Sequence, residues 1–309
     1  MEKQLPISVW PEWKIIEKIG EGSFGKVYKA QRIVQGKTFY SAIKVITIPS
    51  SQGELSSVRS ENPDEQSVKE YFHSLVEDCI QEVSTMEYFR GNSHVVSVED
   101  YKVVEYLDDI GWDIYIRMEY LTGFLDYCMG KELTEKEVIR LGIDLCKALE
   151  YCQKQNIIHR DIKPENIIRA DDGRIFFLDF GIARILGADS LTRTGAMMGP
   201  HTPGYAAPEQ FNNLKKEIDS RADIFSLGVV TYECITGKNP FREGSINALE
   251  VLQKTETITP VQYSIKGDTQ SQFMALLGAM MGKYPSRRPR TAKQAIDWLK
   301  VAKKTFVYE

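Results

Sequence analysis

Over the first 120 residues the apolar positions fall in short runs of β-type composition: Trp13 to Ile19, Lys26 to Ile33, Thr38 to Ile46, Val95 to Glu105 and Trp112 to Tyr120. Runs of this kind, separated by close turns, predict five strands of an antiparallel sheet. One longer stretch breaks the pattern. From Ser67 to Arg90 apolar residues recur at three- and four-residue steps (Phe72, Leu75, Cys79, Val83, Met86), which predicts a helix that Gly91 would stop. Glu82 falls on the same stripe, and a carboxylate facing a core is costly without a cation. Lys44, on a strand flanked by Ala42, Ile43 and Val45, is the cation that would answer it. Residues 47–66 are rich in Ser, Glu, Pro and Gly and are expected to form a solvated, mobile insertion, so that deleting most of Ser50 to Asn62 should cost little stability.

Beyond Leu121 the period becomes helical. Thr134 and Glu137 form a TxxE capping box that opens a helix with the stripe Val138, Leu141, Leu145, Leu149 and Cys152. Two short runs follow, Ile167 to Arg169 and Arg174 to Leu178, split by the turn Asp171, Asp172, Gly173. Residues 182–206 read as a long polar loop, a length usually functional or disordered. An apolar helix from Asp223 to Ile235 and a last helix capped by Thr291 and Gln294 complete an α+β chain with its sheet in the first half and its helices mostly in the second.

Composition narrows the function classes. The 309 residues carry 42% hydrophobic and 27% charged side chains and a net charge of −4, so no basic arm or patch marks a nucleic-acid or anionic-membrane surface. Apolar runs such as Ile175 to Leu178 are far shorter than the ~18 residues of a spanning helix, and the start lacks an apolar signal core. A soluble, cytoplasmic chain without a membrane segment is expected. Five cysteines with no CxxC pair fit reduced, mostly buried thiols, with Cys146 and Cys152 in the core.

The candidate chemistry centres on His159 to Asn166, HRDIKPEN, where Asp161 precedes Lys163 by two residues and Asn166 by five. A loop that must accept a hydroxyl proton, offset charge on a transferring phosphoryl group and hold a metal needs a carboxylate, an ammonium and a carbonyl oxygen on one short backbone. This octet supplies all three. Upstream, Gly20, Gly22 and Gly25 form a GxGxxG turn between two strands, where missing side chains let backbone N–H groups approach phosphate oxygens. A glycine-rich hairpin alone would read the same way, but its place between strands argues against a dinucleotide site. Downstream, Asp179, Phe180 and Gly181 follow Asn166 closely enough for two oxygen ligands to face one magnesium ion.

Taken together, the glycine turn, AIK, HRDIKPEN, DFG and APE (Ala207, Pro208, Glu209) resemble the protein kinases, with Lys163 in the serine/threonine pattern and DFGIAR and APEQ similar to bacterial eukaryotic-like (Hanks-type) members. The resemblance implies a bilobal α+β fold: a five-stranded antiparallel N-lobe with one main helix (13–120) and a mostly helical C-lobe (121–300), flanked by an N-terminal extension (1–12) and a tail (301–309). It implies ATP and Mg2+ as cofactors. Asp161 would orient and deprotonate the acceptor hydroxyl, Lys163 offset charge on the γ-phosphate, and Asn166 and Asp179 hold magnesium. Lys44, fixed by Glu82, would grip the α- and β-phosphates beneath Gly20, Gly22 and Gly25. Met118 takes the gatekeeper place, the backbones of Glu119 and Leu121 the hinge, and Val27, Ala42 and Ile168 join the nucleotide-binding group. Asp223 would bond the catalytic-loop backbone, Arg288 would pair with Glu209, and His159 would pack in the core. The partner implied is a protein with a Ser or Thr acceptor, with self-association for autophosphorylation of Thr192 and Thr194, whose phosphates would meet Arg160. Thr202 would contact substrate. One departure stands before APE, where His201 occupies the place of a glycine. A nucleotide-binding scaffold without transfer and a small-molecule kinase of related fold are the rivals; Lys44, Asp161 and Asp179 argue against the first, and the APE motif with Arg288 against the second.

Overall fold

A computed structural model describes residues 8–22, 25–62, 64–88, 96–121, 134–156, 158–169, 175–178, 202–211 and 218–307, and within them leaves out the side chains of 82, 85–88, 135 and 169. The chain divides into two compact units, one built on residues 1–121 and the other on most of the remainder.

The first unit is a sheet of order β1-β2-β3-β5-β4, every neighbouring pair antiparallel: β1 Lys14–Gly22, β2 Gly25–Val34, β3 Lys37–Ile48, β4 Val98–Glu105 and β5 Trp112–Glu119. Strict alternation sorts its faces. Along β5, Trp112, Ile114, Ile116 and Met118 are buried, and their partners on β3 are Ile48, Ile46, Lys44 and Ala42. Against this side packs α2, Glu65–Tyr88, whose stripe buries Phe72, Leu75, Cys79 and Val83 as the periodicity predicts; His73 sets its ring edge-on to Trp112. The opposite side carries Tyr28, Ala30 and Ile43 under Trp10, Trp13 and Ile15. Guanidinium groups interleave with the indoles: Arg32 lies 4.9 Å from the Trp13 ring, and Arg117 lies 5.1 Å from Trp13 and 5.6 Å from Trp10. The Trp10 indole donates to Asp100 at 2.6 Å, so part of the expected N-terminal extension belongs to the packed sheet.

The insertion departs from expectation. Residues Gln52–Glu61 form a helix, α1, started by the Ser51 hydroxyl, which accepts the Glu54 N–H. Leu55 and Val58 are 0% and 5% exposed, and the helix contacts α2. Arg59 adds ion pairs to Glu65 at the start of α2 (2.9 Å) and Asp109 on the β4–β5 turn (2.8 Å). Two apolar side chains one turn apart suffice to dock so short a helix, because α2 supplies the other half of the buried surface.

The second unit is mostly helical: α3 Glu135–Lys154, α4 Arg221–Thr236, α5 Ala248–Thr257, α6 Gln272–Met280 and α7 Ala292–Thr305, with the small pair β6 Ile167–Arg169 and β7 Ile175–Phe177. Thr134 gives its N–H to the Glu137 carboxylate, the reach-back half of a capping box, and its hydroxyl donates to the same oxygen; all five stripe residues of α3 are buried. Its main partner is α7. That last helix begins on the Thr291 cap and runs past Lys300; Ala302 and Phe306 are buried, so residues 301–306 pack as helix and core instead of trailing as a tail. Cys146 and Cys152 are buried and unpaired, and burial pushes the Cys146 thiol up to about 12.

Because α1 is packed, Leu55→Ala should destabilise the chain by about 2–5 kcal/mol. Removing residues 50–62 should lower the melting midpoint by more than about 5 °C. Thermal and urea denaturation read both, and an unchanged midpoint for either variant would return the segment to the status of a surface loop.

Candidate active site

The HRDIKPEN loop lies in the helical unit, between α3 and β6, and one buried carboxylate sets its shape. Asp223, at the start of α4 and fully buried, accepts the backbone N–H groups of His159 (Oδ2, 2.8 Å) and Arg160 (Oδ1, 2.7 Å). Burial pushes its carboxyl above the usual carboxylate range, against the two backbone bonds, which act the other way. Arg160 has φ of +68°, a left-handed conformation costly for a non-glycine residue. Its carbonyl is fixed from the other side by Gln210 Nε2 at 2.7 Å. Strain next to Asp161 is thus held between two side chains from elsewhere in the chain.

His159 is 1% exposed, edge-on to Phe177. Its Nε2 donates to the Leu178 carbonyl at 2.6 Å and its Nδ1 accepts the Asp161 N–H at 3.4 Å, so an imidazole protonated at Nε2 alone satisfies both contacts. Leu178 also gives its N–H to the Asn166 carbonyl at 2.8 Å. The residue before Asp179 is therefore tied to the catalytic loop at both backbone groups.

Asp161, Lys163, Asn166 and Thr202 converge. Lys163 Nζ is 2.8 Å from Asp161 Oδ2 and donates to Thr202 Oγ1 at 3.2 Å; the Thr202 hydroxyl donates to Asp161 Oδ1 at 2.7 Å. Asn166 Nδ2 donates to the Asp161 carbonyl (2.9 Å) and to Oδ2 (3.1 Å), which turns its Oδ1 away from the carboxylate. Burial pushes the Asp161 carboxyl up, but the Lys163 charge and the bonds from Lys163 and Thr202 outweigh it and leave the group below its ordinary value. The fold thus favours the ionised form. The stability this confers is complete above the ordinary carboxylate value of about 4 and is lost only as pH falls through the lower folded value.

In the sheet unit, cross-strand partners put predicted nucleotide-binding residues on one face. Gly20 pairs with Val27, Val27 with Lys44, and Ala42 with Met118; directly opposed residues share a face, and positions 42 and 44 are two apart. Gly20, Val27, Ala42, Lys44 and Met118 therefore lie on the side of the sheet that α2 packs against, and Lys44 is only 4% exposed. Gly22 and Gly25 pair across the hairpin; at Gly25, φ is +131° and a Cβ would run into the Val45 carbonyl oxygen, so only glycine lets the turn cross β3 this closely. Glu119 gives its N–H to Ser97, the Met118 carbonyl accepts the Ser41 hydroxyl at 2.7 Å, and Leu121 ends the unit. Ile168 pairs with Phe176 in the other unit. The Glu82 side chain, Asp179, Thr192, Thr194 and His201 lie outside the described residues, so the Lys44–Glu82 pair, the second metal ligand and the phosphorylation sites stay as expectations.

Glu209 and Arg288 form the predicted pair, doubly bonded at 2.6 and 2.8 Å with side chains 4% and 0% exposed. The sequence reading missed Gln210 and the bond from Tyr205 to Glu233 (2.6 Å). Gln210 had a signal, since it directly follows APE; the Tyr205 bond spans 28 residues and had none.

Residues 13–298 match the protein kinase domain. The chain belongs to the protein kinase family, and its two-unit α+β fold is that family's bilobal fold. It is 37% identical to a probable serine/threonine-protein kinase of Clostridium perfringens over 69% of this chain and 30% of that protein. It is 30% identical to serine/threonine-protein kinase A of Synechocystis, over 92% of this chain and 52% of that protein, and 27% identical to the serine/threonine-protein kinase PknH of Mycobacterium bovis, over 92% and 43%. The chain therefore spans about half or less of the length of these relatives.

Asp223→Ala leaves two buried N–H groups without an acceptor and should cost about 2–5 kcal/mol, whereas Asp223→Asn, which keeps one acceptor oxygen, should cost less. Urea denaturation compares them. Equal stability of Asp223→Ala and the parent would show that the loop holds its strained shape without the carboxylate.

Proposed function

We propose that the chain is a serine/threonine protein kinase domain that transfers the γ-phosphoryl group of ATP to Ser or Thr hydroxyls of proteins. The observation that carries this is the Thr202 hydroxyl bonded at once to Asp161 and Lys163. A hydroxyl of the acceptor type already sits within reach of a carboxylate kept ionised and of an ammonium group. An incoming hydroxyl at Asp161 would give up its proton to the carboxylate as its oxygen bonds the γ-phosphorus and the bond to ADP breaks; Lys163 would offset the negative charge on the phosphoryl oxygens.

Magnesium, when bound with ATP, supplies charge neutralisation between the phosphates. Asn166 fits this role, since the two bonds from its Nδ2 orient the amide and leave the lone pairs of Oδ1 for a metal; Asp179 is the second ligand proposed. Lys44, paired with Glu82, is proposed for the α- and β-phosphates, with Gly20, Gly22 and Gly25 above them and Val27, Ala42, Met118, Glu119, Leu121 and Ile168 around the base. The names of the bacterial relatives support the Ser/Thr reading. A cytoplasmic location is part of this proposal; among the described residues no helix is long and apolar enough to cross a membrane.

Regulation by autophosphorylation belongs to the same reading. Phosphate on Thr192 or Thr194 adds nearly two negative charges and could order the loop through Arg160, next to the catalytic carboxylate.

Asp161→Asn should lower phosphoryl transfer by about 100-fold or more with nucleotide binding retained. Transfer to a generic protein acceptor and nucleotide titration measure the two, and parent-level turnover in the variant would remove Asp161 from the mechanism. Incubation with ATP should place phosphate on Thr192 and Thr194 and raise the rate. Full activity of the double alanine variant, or phosphate found elsewhere alone by mass spectrometry, would remove the switch.

A further inference from the structure

We propose that Arg242 reads a carboxylate on the protein acceptor, one to three residues from the hydroxyl that receives phosphate, so that this chain favours Ser or Thr flanked by Asp or Glu. The inference rests on the phosphoryl-transfer reading and names the substrate class for that site.

The segment after Thr202 is built around this arginine. Pro203, next to the residue bonded to Asp161, gives its carbonyl to Arg242 Nε at 2.9 Å. Gly204 has φ of +93°, and a Cβ there would stand 2.8 Å from Arg242 Cγ and 2.9 Å from Nε, so the glycine both makes the bend and admits the arginine stem. The guanidinium lies 4.6 Å from the ring centre of Tyr205, a buried side chain whose hydroxyl is held by Glu233. Asn239 ties the two segments together: its Oδ1 accepts the Arg242 N–H at 3.1 Å and its Nδ2 donates to the Gly204 carbonyl at 3.4 Å.

This anchoring leaves the two Nη groups. Arg242 is exposed, and among the described residues no carboxylate stands within ion-pair distance of it. Its neighbours are already committed: Glu243 pairs with Lys238 at 2.6 Å, Glu250 with Lys254 at 3.6 Å, and Glu233 accepts from Tyr205. A guanidinium ordered by a backbone bond and an aromatic face, but lacking an anion, has already lost the freedom that binding a carboxylate would otherwise remove. Position decides what it meets. An acceptor hydroxyl must come to Asp161 beside Thr202, and consecutive residues are about 3.8 Å apart, so side chains one to three residues along pass the segment on which Arg242 is fixed.

The test uses this chain with ATP and a neutral acceptor peptide holding one Thr, plus six variants that carry a single Glu at each place from three residues before it to three after. One or two Glu positions should raise kcat/KM about threefold to fivefold over the neutral peptide, an advantage that shrinks at high salt. Arg242→Gln should level that profile, and Arg242→Glu should transfer the preference to Lys at the same position. A merely structural arginine would lower the rates on all peptides by one factor. A flat profile in the parent, or an unchanged profile in both variants, overturns the proposal while leaving the kinase reading standing. No transfer to any peptide overturns both.

Discussion

The buried carboxylate of Asp223 is the constraint on which the catalytic loop depends. Sequence spacing places Asp161, Lys163 and Asn166 on one loop, but it does not make them converge. Convergence requires Arg160 to adopt a left-handed backbone that its side chain disfavours, and that conformation persists only because Asp223 accepts two consecutive N–H groups while Gln210 holds the next carbonyl. The anchor comes from α4, a helix whose first part is almost wholly buried, so the loop inherits the rigidity of the helical core.

The sheet unit reaches order by a different route. There the pleat does the sorting: a period of two residues places Val27, Ala42, Lys44 and Met118 on the face that receives α2, while Tyr28 and Ile43 go to the face covered by Trp10 and Trp13. A one-residue slip of β3 would exchange Lys44 for Ile43 on that face. The two indoles and their guanidinium neighbours on the far side oppose such a slip, since Ile43 is committed to them.

Much of this was legible before any coordinates. Strand runs, the α3 stripe, the capping boxes and the octet each express a local rule, and local rules survive folding when nothing opposes them. The long-range Asp223 and Glu209–Arg288 contacts were expected only by family resemblance, since no spacing announces a bond across 64 or 79 residues. The α1 segment failed for a different reason. Its polar composition outweighed a short signal that was present, Ser51 three residues before Glu54 and then Leu55 and Val58 one turn apart. Residues 301–306 lie past the edge of the family pattern, which is why they read as a tail, although Ala302 and Phe306 continue the buried side of α7. Tyr205, Gly204 and Arg242 meet through a loop crossing that no periodicity encodes.

The folding of α1 alters what the link between β3 and α2 is mechanically. A slack tether would transmit nothing between its ends. Here α1 stands between β3 and α2 as a packed piece of its own, and Arg59 pins it to both the root of α2 and the far turn of the sheet. Such a linkage behaves as a hinged bracket: α2 pivots by carrying α1 with it or by breaking the Arg59 bridges.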